Sequence, residues 1–139
     1  GQTVEGVEWV DLASAAEEGW WNASTDGMEL QVETDATVEA DPGRLGELLT
    51  NAFEFARHNG AETVTVRQTA AGFAIEDDGE SLVDDPDRYL AYGEAVPSAE
   101  SGMKLPNVDT FARVHGWSVA LVDRDGGGVR IEVLNVQVE

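Results

Sequence analysis

The chain has 139 residues, 42% of them hydrophobic, which is enough for one domain around a single core. Its 28 acidic and 8 basic residues leave a formal net charge of -20, which excludes nucleic-acid grooves and anionic membrane patches as binding surfaces. The absence of cysteine removes disulfides, thiolate metal sites and cysteine nucleophiles, and no stretch approaches the ~20 apolar residues of a membrane span or reads as a signal peptide.

In chain order, Asp11 to about Trp20 reads as a short helix, with Asp11 able to cap it and Leu12, Ala15 and Ala16 at helical spacing. The segments MELQVE and ATVEA alternate apolar and polar residues, as half-buried strands do. In EADPGRL, Asp41 can cap free N–H groups and Pro42 takes the first helical position, where no donor is needed. That helix runs to about His58 and stops at Asn59-Gly60. At about 100° per residue, Leu45, Leu48, Leu49, Ala52 and Ala56 share one face, and Glu47, Asn51, Glu54 and His58 share the neighbouring strip.

Two strands follow, ETVTVRQ and GFAIED, around a short Ala-Ala-Gly turn. After Asp78 the periodicity ends. Residues 79–103 hold Gly79, Pro86, Gly93, Pro97 and Gly102 among many acids, the mark of a functional loop or lid. Pro106 opens a second clear helix, with Leu105, Val108, Phe111 and Ala112 apolar, that ends at His115-Gly116. WSVALVD and GVRIEVLNVQV close the chain as two strands. The expected class is α+β, a two-layer α/β sandwich with residues 1–139 as one domain and a long lid at about 79–103.

The acid is spread along the chain, and Lys104 is the single lysine. This pattern resembles proteins of salt-loving organisms, in which high salt screens self-repulsion, and the alternative is an acidic interaction surface. Three places can carry chemistry. On the first long helix, Asn51 offers an oxygen suited to Mg²⁺ and Glu47 offers a carboxylate one turn earlier, although a lone Asn on a helix flank is ordinarily just solvated. The turn IEDDGES puts two carboxylates and Gly79 at the end of an apolar strand, where an acid can accept from an amino group such as that of adenine; an acidic turn is the plain alternative. In ESGMKLPNV a glycine leads into a helix N-terminus, which favours anions, and Lys104 can add its charge there or be a solvated neighbour of Glu100.

That order of residues resembles the ATP-binding catalytic domain of sensor histidine kinases, the GHKL family shared with gyrase and MutL. ELLTNAFEFARH is similar to its N-box, DDGES to its first glycine box, and SGMKLPNVDTFARVHGW to its second glycine box and following helix. VDLA, EADPGRLGELL and HGW resemble kinases of haloarchaea in particular. The resemblance implies the Bergerat fold, with a mixed sheet covered on one face by helices and an ATP lid. It implies ATP and Mg²⁺ as ligands, with Asn51 holding the metal and Asp77 reading the adenine amino group. Phe55, Gly79 and Ser81 would join the nucleotide pocket, and Gly102, Met103, Lys104 and Leu105 would wrap the phosphates. Glu47 stands where relatives keep a catalytic carboxylate.

The expected activity is transfer of the γ-phosphoryl group to a histidine of the same kinase, followed by a response regulator, in a cytoplasmic domain capable of homodimerising. The phosphoacceptor hairpin is not within the chain: His58 and His115 are its only histidines, and both fall at helix ends. The chain departs from the family pattern at Ser81 and Lys104, where each box has a glycine, which predicts weakened ATP affinity. Two alternatives stay open, a degenerate domain acting as an interaction module and a stand-alone ATPase switch. Of the four tryptophans, Trp9, Trp20, Trp21 and Trp117, all read mainly as packing residues, but one of the adjacent pair Trp20 and Trp21 is expected to face outward.

Overall fold

A computed structural model describes residues 6–82, 85–90 and 104–139. Its elements are β1 (Glu8–Asp11), α1 (Leu12–Asn22), β2 (Glu29–Glu33), β3 (Thr37–Ala40), α2 (Pro42–His58), β4 (Thr63–Thr69), β5 (Gly72–Asp77), α3 (Pro86–Leu90), α4 (Lys104–Arg113), β6 (Ser118–Asp123) and β7 (Val129–Leu134). Five strands form one sheet in the order β2-β4-β5-β7-β6. Only β2 and β4 run parallel in it, so the sheet is mixed, as expected.

The alternation of each strand decides which face meets the helices. Val64 and Val66 of β4, Phe73 and Ile75 of β5, and Ile131 and Val133 of β7 are almost wholly buried. They join one cluster with Leu45, Leu48, Leu49 and Phe53 of α2 and Leu105, Val108 and Ala112 of α4. The other face carries charge. Arg67 Nε donates to Glu76 Oε1 across β4 and β5 at 3.0 Å, and Arg130 of β7 lies 3.5 Å from the second oxygen of Glu76. A one-residue register slip would send these charges into the core, so pattern and pairing enforce each other.

Helix α2 begins as its sequence predicts: Asp41 Oδ1 accepts from Gly43 N at 3.0 Å and Arg44 N at 3.2 Å, ahead of Pro42 at the first position. Asp11 precedes α1, but its carboxylate accepts from the Ser14 hydroxyl at 2.6 Å and makes no cap bond to a backbone N–H.

Two sequence expectations are corrected, and one strand falls where none is expected. That strand is β1, which pairs antiparallel with β3 in a separate two-stranded sheet. The terminal strand is shorter than expected: Asn135, with φ 69°, ends β7, and the last residues turn to hydrogen-bond β3 through Glu39 N to Gln137 O and Glu139 N to Thr37 O. The supposed loop contains α3, whose five residues are too few to show a helical period, although Tyr89 reaches the core. Residues 83–84 and 91–103, the larger part of the expected lid, lie outside the described residues. Among the described residues no helix is long and apolar enough to cross a membrane.

Trp20 packs edge-on against Phe53 with ring centroids 5.0 Å apart, whereas Trp21 is 87% exposed, as adjacency on a helix requires. Trp117 is buried against Phe73 and the His115 ring, but Trp9 on β1 is exposed, contrary to a packing role.

Candidate functional site

Two clusters form along α2, one at its C-terminal end and one on its polar flank. The first centres on Asp77, the last residue of β5, which is buried with 2% of its surface exposed. Its Oδ1 accepts from Gly79 N at 2.8 Å, Asn59 Nδ2 at 3.1 Å and Val129 N at 3.4 Å. Burial pushes the Asp77 carboxyl up from 3.8 to about 6, and the adjacent Asp78 charge pushes the same way against those three hydrogen bonds. The donors are all neutral, and all converge on Oδ1. A carboxylate kept this far from water, with no cation against its oxygens among the described residues, is a group whose second oxygen is a candidate for recognition.

Asp78, its neighbour, does different work. Its Oδ1 accepts from Glu62 N at 2.8 Å and Thr63 N at 3.0 Å, which holds its carboxyl below the usual range and ties the end of β5 to the start of β4. Gly79 is small for a reason internal to the chain: a Cβ there would stand 2.3 Å from the Asn59 carbonyl oxygen. Gly128, at φ +98°, lies against the same strand end, where a Cβ would meet the Asp77 carbonyl oxygen at 2.0 Å. The turn around Asp77 is thus closely enclosed by backbone from α2 and from the β6–β7 connection. Ser81 is exposed beyond it.

The second cluster joins α2 to α4. Asn51 Nδ2 donates to the Glu47 carbonyl at 2.8 Å, and its Oδ1 accepts from Asn107 Nδ2 at 3.1 Å. Lys104 Nζ lies 2.7 Å from Glu54 Oε1, with both side chains largely covered. Glu47 is half exposed and meets Arg44 at 3.1 Å. Of the expected strip of Glu47, Asn51, Glu54 and His58, Asn51 and Glu54 therefore meet the start of α4 through Asn107 and Lys104, whereas Glu47 pairs with Arg44 of its own helix. Glu47 and Asn51 also line a groove of about 480 Å³ between α1 and α2, with Ser14, Ala15, Gly19 and Gly46; that groove does not include Asp77. Phe55 and Leu105 lie in the core, 4% and 1% exposed. Gly102 and Met103 lie outside the described residues.

Among the described residues no group of three or more His, Asp or Glu side chains is placed to hold a metal ion by itself. That donor set fits Mg²⁺ accompanying a phosphorylated ligand, because Mg²⁺ takes one or two protein oxygens and fills its octahedron with phosphate and water. Asn51 Oδ1 carries a single described hydrogen bond and keeps lone-pair capacity for such a role. Sequence reasoning passed over Asn59, Asn107 and Glu54 as site residues. Glu54 lies on the same polar strip as Asn51, and Asn59 carries only the signal of a helix stop.

No family model and no curated protein matches this sequence. Solved structures do match. The ATP-binding domain of PrrB from Mycobacterium tuberculosis superposes with TM-score 0.70 at 20% identity, over 94% of this chain and 96% of that one. The mycobacterial sensor histidine kinase MprB gives TM-score 0.72 at 22% identity, over 96% and 97%. Full-length ShkA in complex with AMPPNP gives 0.71 at 22% identity, with all of this chain matching 33% of that one. At these identities the likeness is one of fold: the chain has the mixed-sheet α+β fold of histidine-kinase ATP-binding domains.

Proposed function

We propose that this chain binds ATP with Mg²⁺ and positions it for transfer of the γ-phosphoryl group to a histidine on a separate helical domain, as the cytoplasmic ATP-binding part of a sensor histidine kinase. The observation that carries this reading is Asp77, a buried carboxylate held by neutral donors at the end of a central strand. In that position Asp77 accepts from the exocyclic amino group of adenine. Asn51 of α2 stands eight residues before Asn59, the residue that ends the helix, about 12 Å along the axis at 1.5 Å per residue, which separates a base-reading end from a phosphate-reading flank.

On that flank the Asn51 amide oxygen would hold Mg²⁺, which would supply charge neutralisation to the phosphates. Lys104 exchanges Glu54 for a phosphate oxygen. Glu47 would order water around that ion or assist removal of the proton from the attacking imidazole. Most of the rate advantage comes from positioning and electrostatics, as phosphoryl transfer generally requires.

The Lys104–Glu54 and Asn51–Asn107 contacts favour a second reading, in which the fold serves as an interaction module with weak nucleotide affinity. Calorimetric titration with an ATP analogue and Mg²⁺ in multimolar KCl decides between them. Binding weakened by both Asn51→Ala and Asp77→Asn supports the nucleotide site. A folded parent that releases no binding heat supports the module.

A further inference from the structure

Asn59 has more bonds than a helix stop needs. The end of α2 is already satisfied by backbone: Asn59 N donates to Phe55 O at 2.9 Å, Gly60 N to Arg57 O at 3.0 Å and Ala61 N to Ala56 O at 3.0 Å. The Asn59 side chain is therefore not used as a cap. Its Nδ2 donates to Asp77 Oδ1 at 3.1 Å and to the Glu80 carbonyl at 2.7 Å, while the Asn59 backbone carbonyl accepts from Glu80 N at 3.0 Å. The orientation of the amide is dictated by these partners, because a flipped amide would set an oxygen against two acceptors. Gly79, whose absent Cβ lets the Asn59 backbone approach, completes the contact.

We propose that Asn59 is the positioning residue of the Asp77 carboxylate, pinning Oδ1 and the strand exit at Glu80 so that Oδ2 is the oxygen presented to the amino group of a nucleobase. This rests on the nucleotide reading for the identity of the ligand and on geometry for the clamp. Among the described residues the charged groups around the carboxylate are Asp78, just past the strand, and Arg124 of the β6–β7 connection, which donates to the Asp77 carbonyl. Neither reaches Oδ1, so the amide of Asn59 is the side-chain contact that orients it among the described residues.

The test uses carboxyl-carbon NMR to titrate Asp77 in the ligand-free chain, alongside AMPPNP·Mg²⁺ binding. Asn59→Ala removes a donor to the charged form, so the Asp77 midpoint rises and analogue binding weakens about tenfold with the fold retained. Asn59→Asp raises the midpoint further and spreads the titration into two coupled steps. An Asp77 midpoint in Asn59→Ala equal to the parent's overturns the proposal, whatever happens to binding. A midpoint that moves in a parent background that binds no analogue keeps the clamp and removes the nucleotide reading instead.

Discussion

Replacing Asp77 with Asn separates function from stability. An acid that titrates at about 6 in the folded chain and 3.8 in the unfolded one costs the fold about 3 kcal/mol at neutral pH, at roughly 1.4 kcal/mol per pH unit. The sign follows from proton uptake. Between those two values the folded state holds a proton that the unfolded state has lost, so this group's contribution to stability grows as pH falls through 6 and is complete below 3.8. Asn keeps an oxygen for the donors at Asn59, Gly79 and Val129 and never carries the buried charge. Its new N–H₂ group needs a partner, which offsets about 1–2 kcal/mol. Asp77→Asn is therefore expected to be about 1–2 kcal/mol more stable than the parent at pH 8, while losing the adenine recognition proposed for Asp77. Linkage for one site predicts that the gap between variant and parent narrows by about 1.4 kcal/mol between pH 8 and pH 5. Urea unfolding of both proteins at the two pH values measures it, since the other carboxylates cancel in the difference. A gap that is the same at both values would refute the buried-charge argument.

Glu54→Gln releases Lys104 from a 2.7 Å ion pair and is expected to tighten ATP-analogue binding about three- to tenfold at low salt, with the gain shrinking as KCl is raised. Weaker binding would show that Glu54 serves the ligand rather than competing with it. Gly128→Ala forces a Cβ onto the Asp77 carbonyl at φ +98°, so it is expected to destabilise the chain by about 3 kcal/mol or more and to lower its thermal midpoint accordingly. An unchanged midpoint would mean that the β6–β7 connection relaxes freely. With a net charge of -20, the unfolding midpoint is expected to rise steadily from 0.1 M to multimolar KCl, roughly following the collapse of the Debye length from about 10 Å to under 3 Å. A salt-independent midpoint in a denaturant series would remove self-repulsion as the reason for the acidic composition.

The long elements were legible because their periods are unambiguous. Asp41-Pro42 and the apolar stripe of α2 fix that helix locally, and the alternation of Thr63 to Val66 in β4 says which of its side chains point inward. The order of Asn51, Asp77-Gly79 and Lys104 along the chain was also readable, but only as an order: each residue alone is ordinary on a helix flank or in a turn, and the resemblance rests on their succession. Local pattern was silent on β1, which is a strand because β3 lies beside it, and on α3, which is too short to have a period. Only the folded chain decided that Gly79 serves the Asn59 backbone, that Lys104 meets Glu54, and that Asn59 faces Asp77 across 18 positions of sequence. Sequence sets each residue's donors, charge and period, whereas burial and partnership between distant positions arise only when the sheet brings the end of β5 against the end of α2.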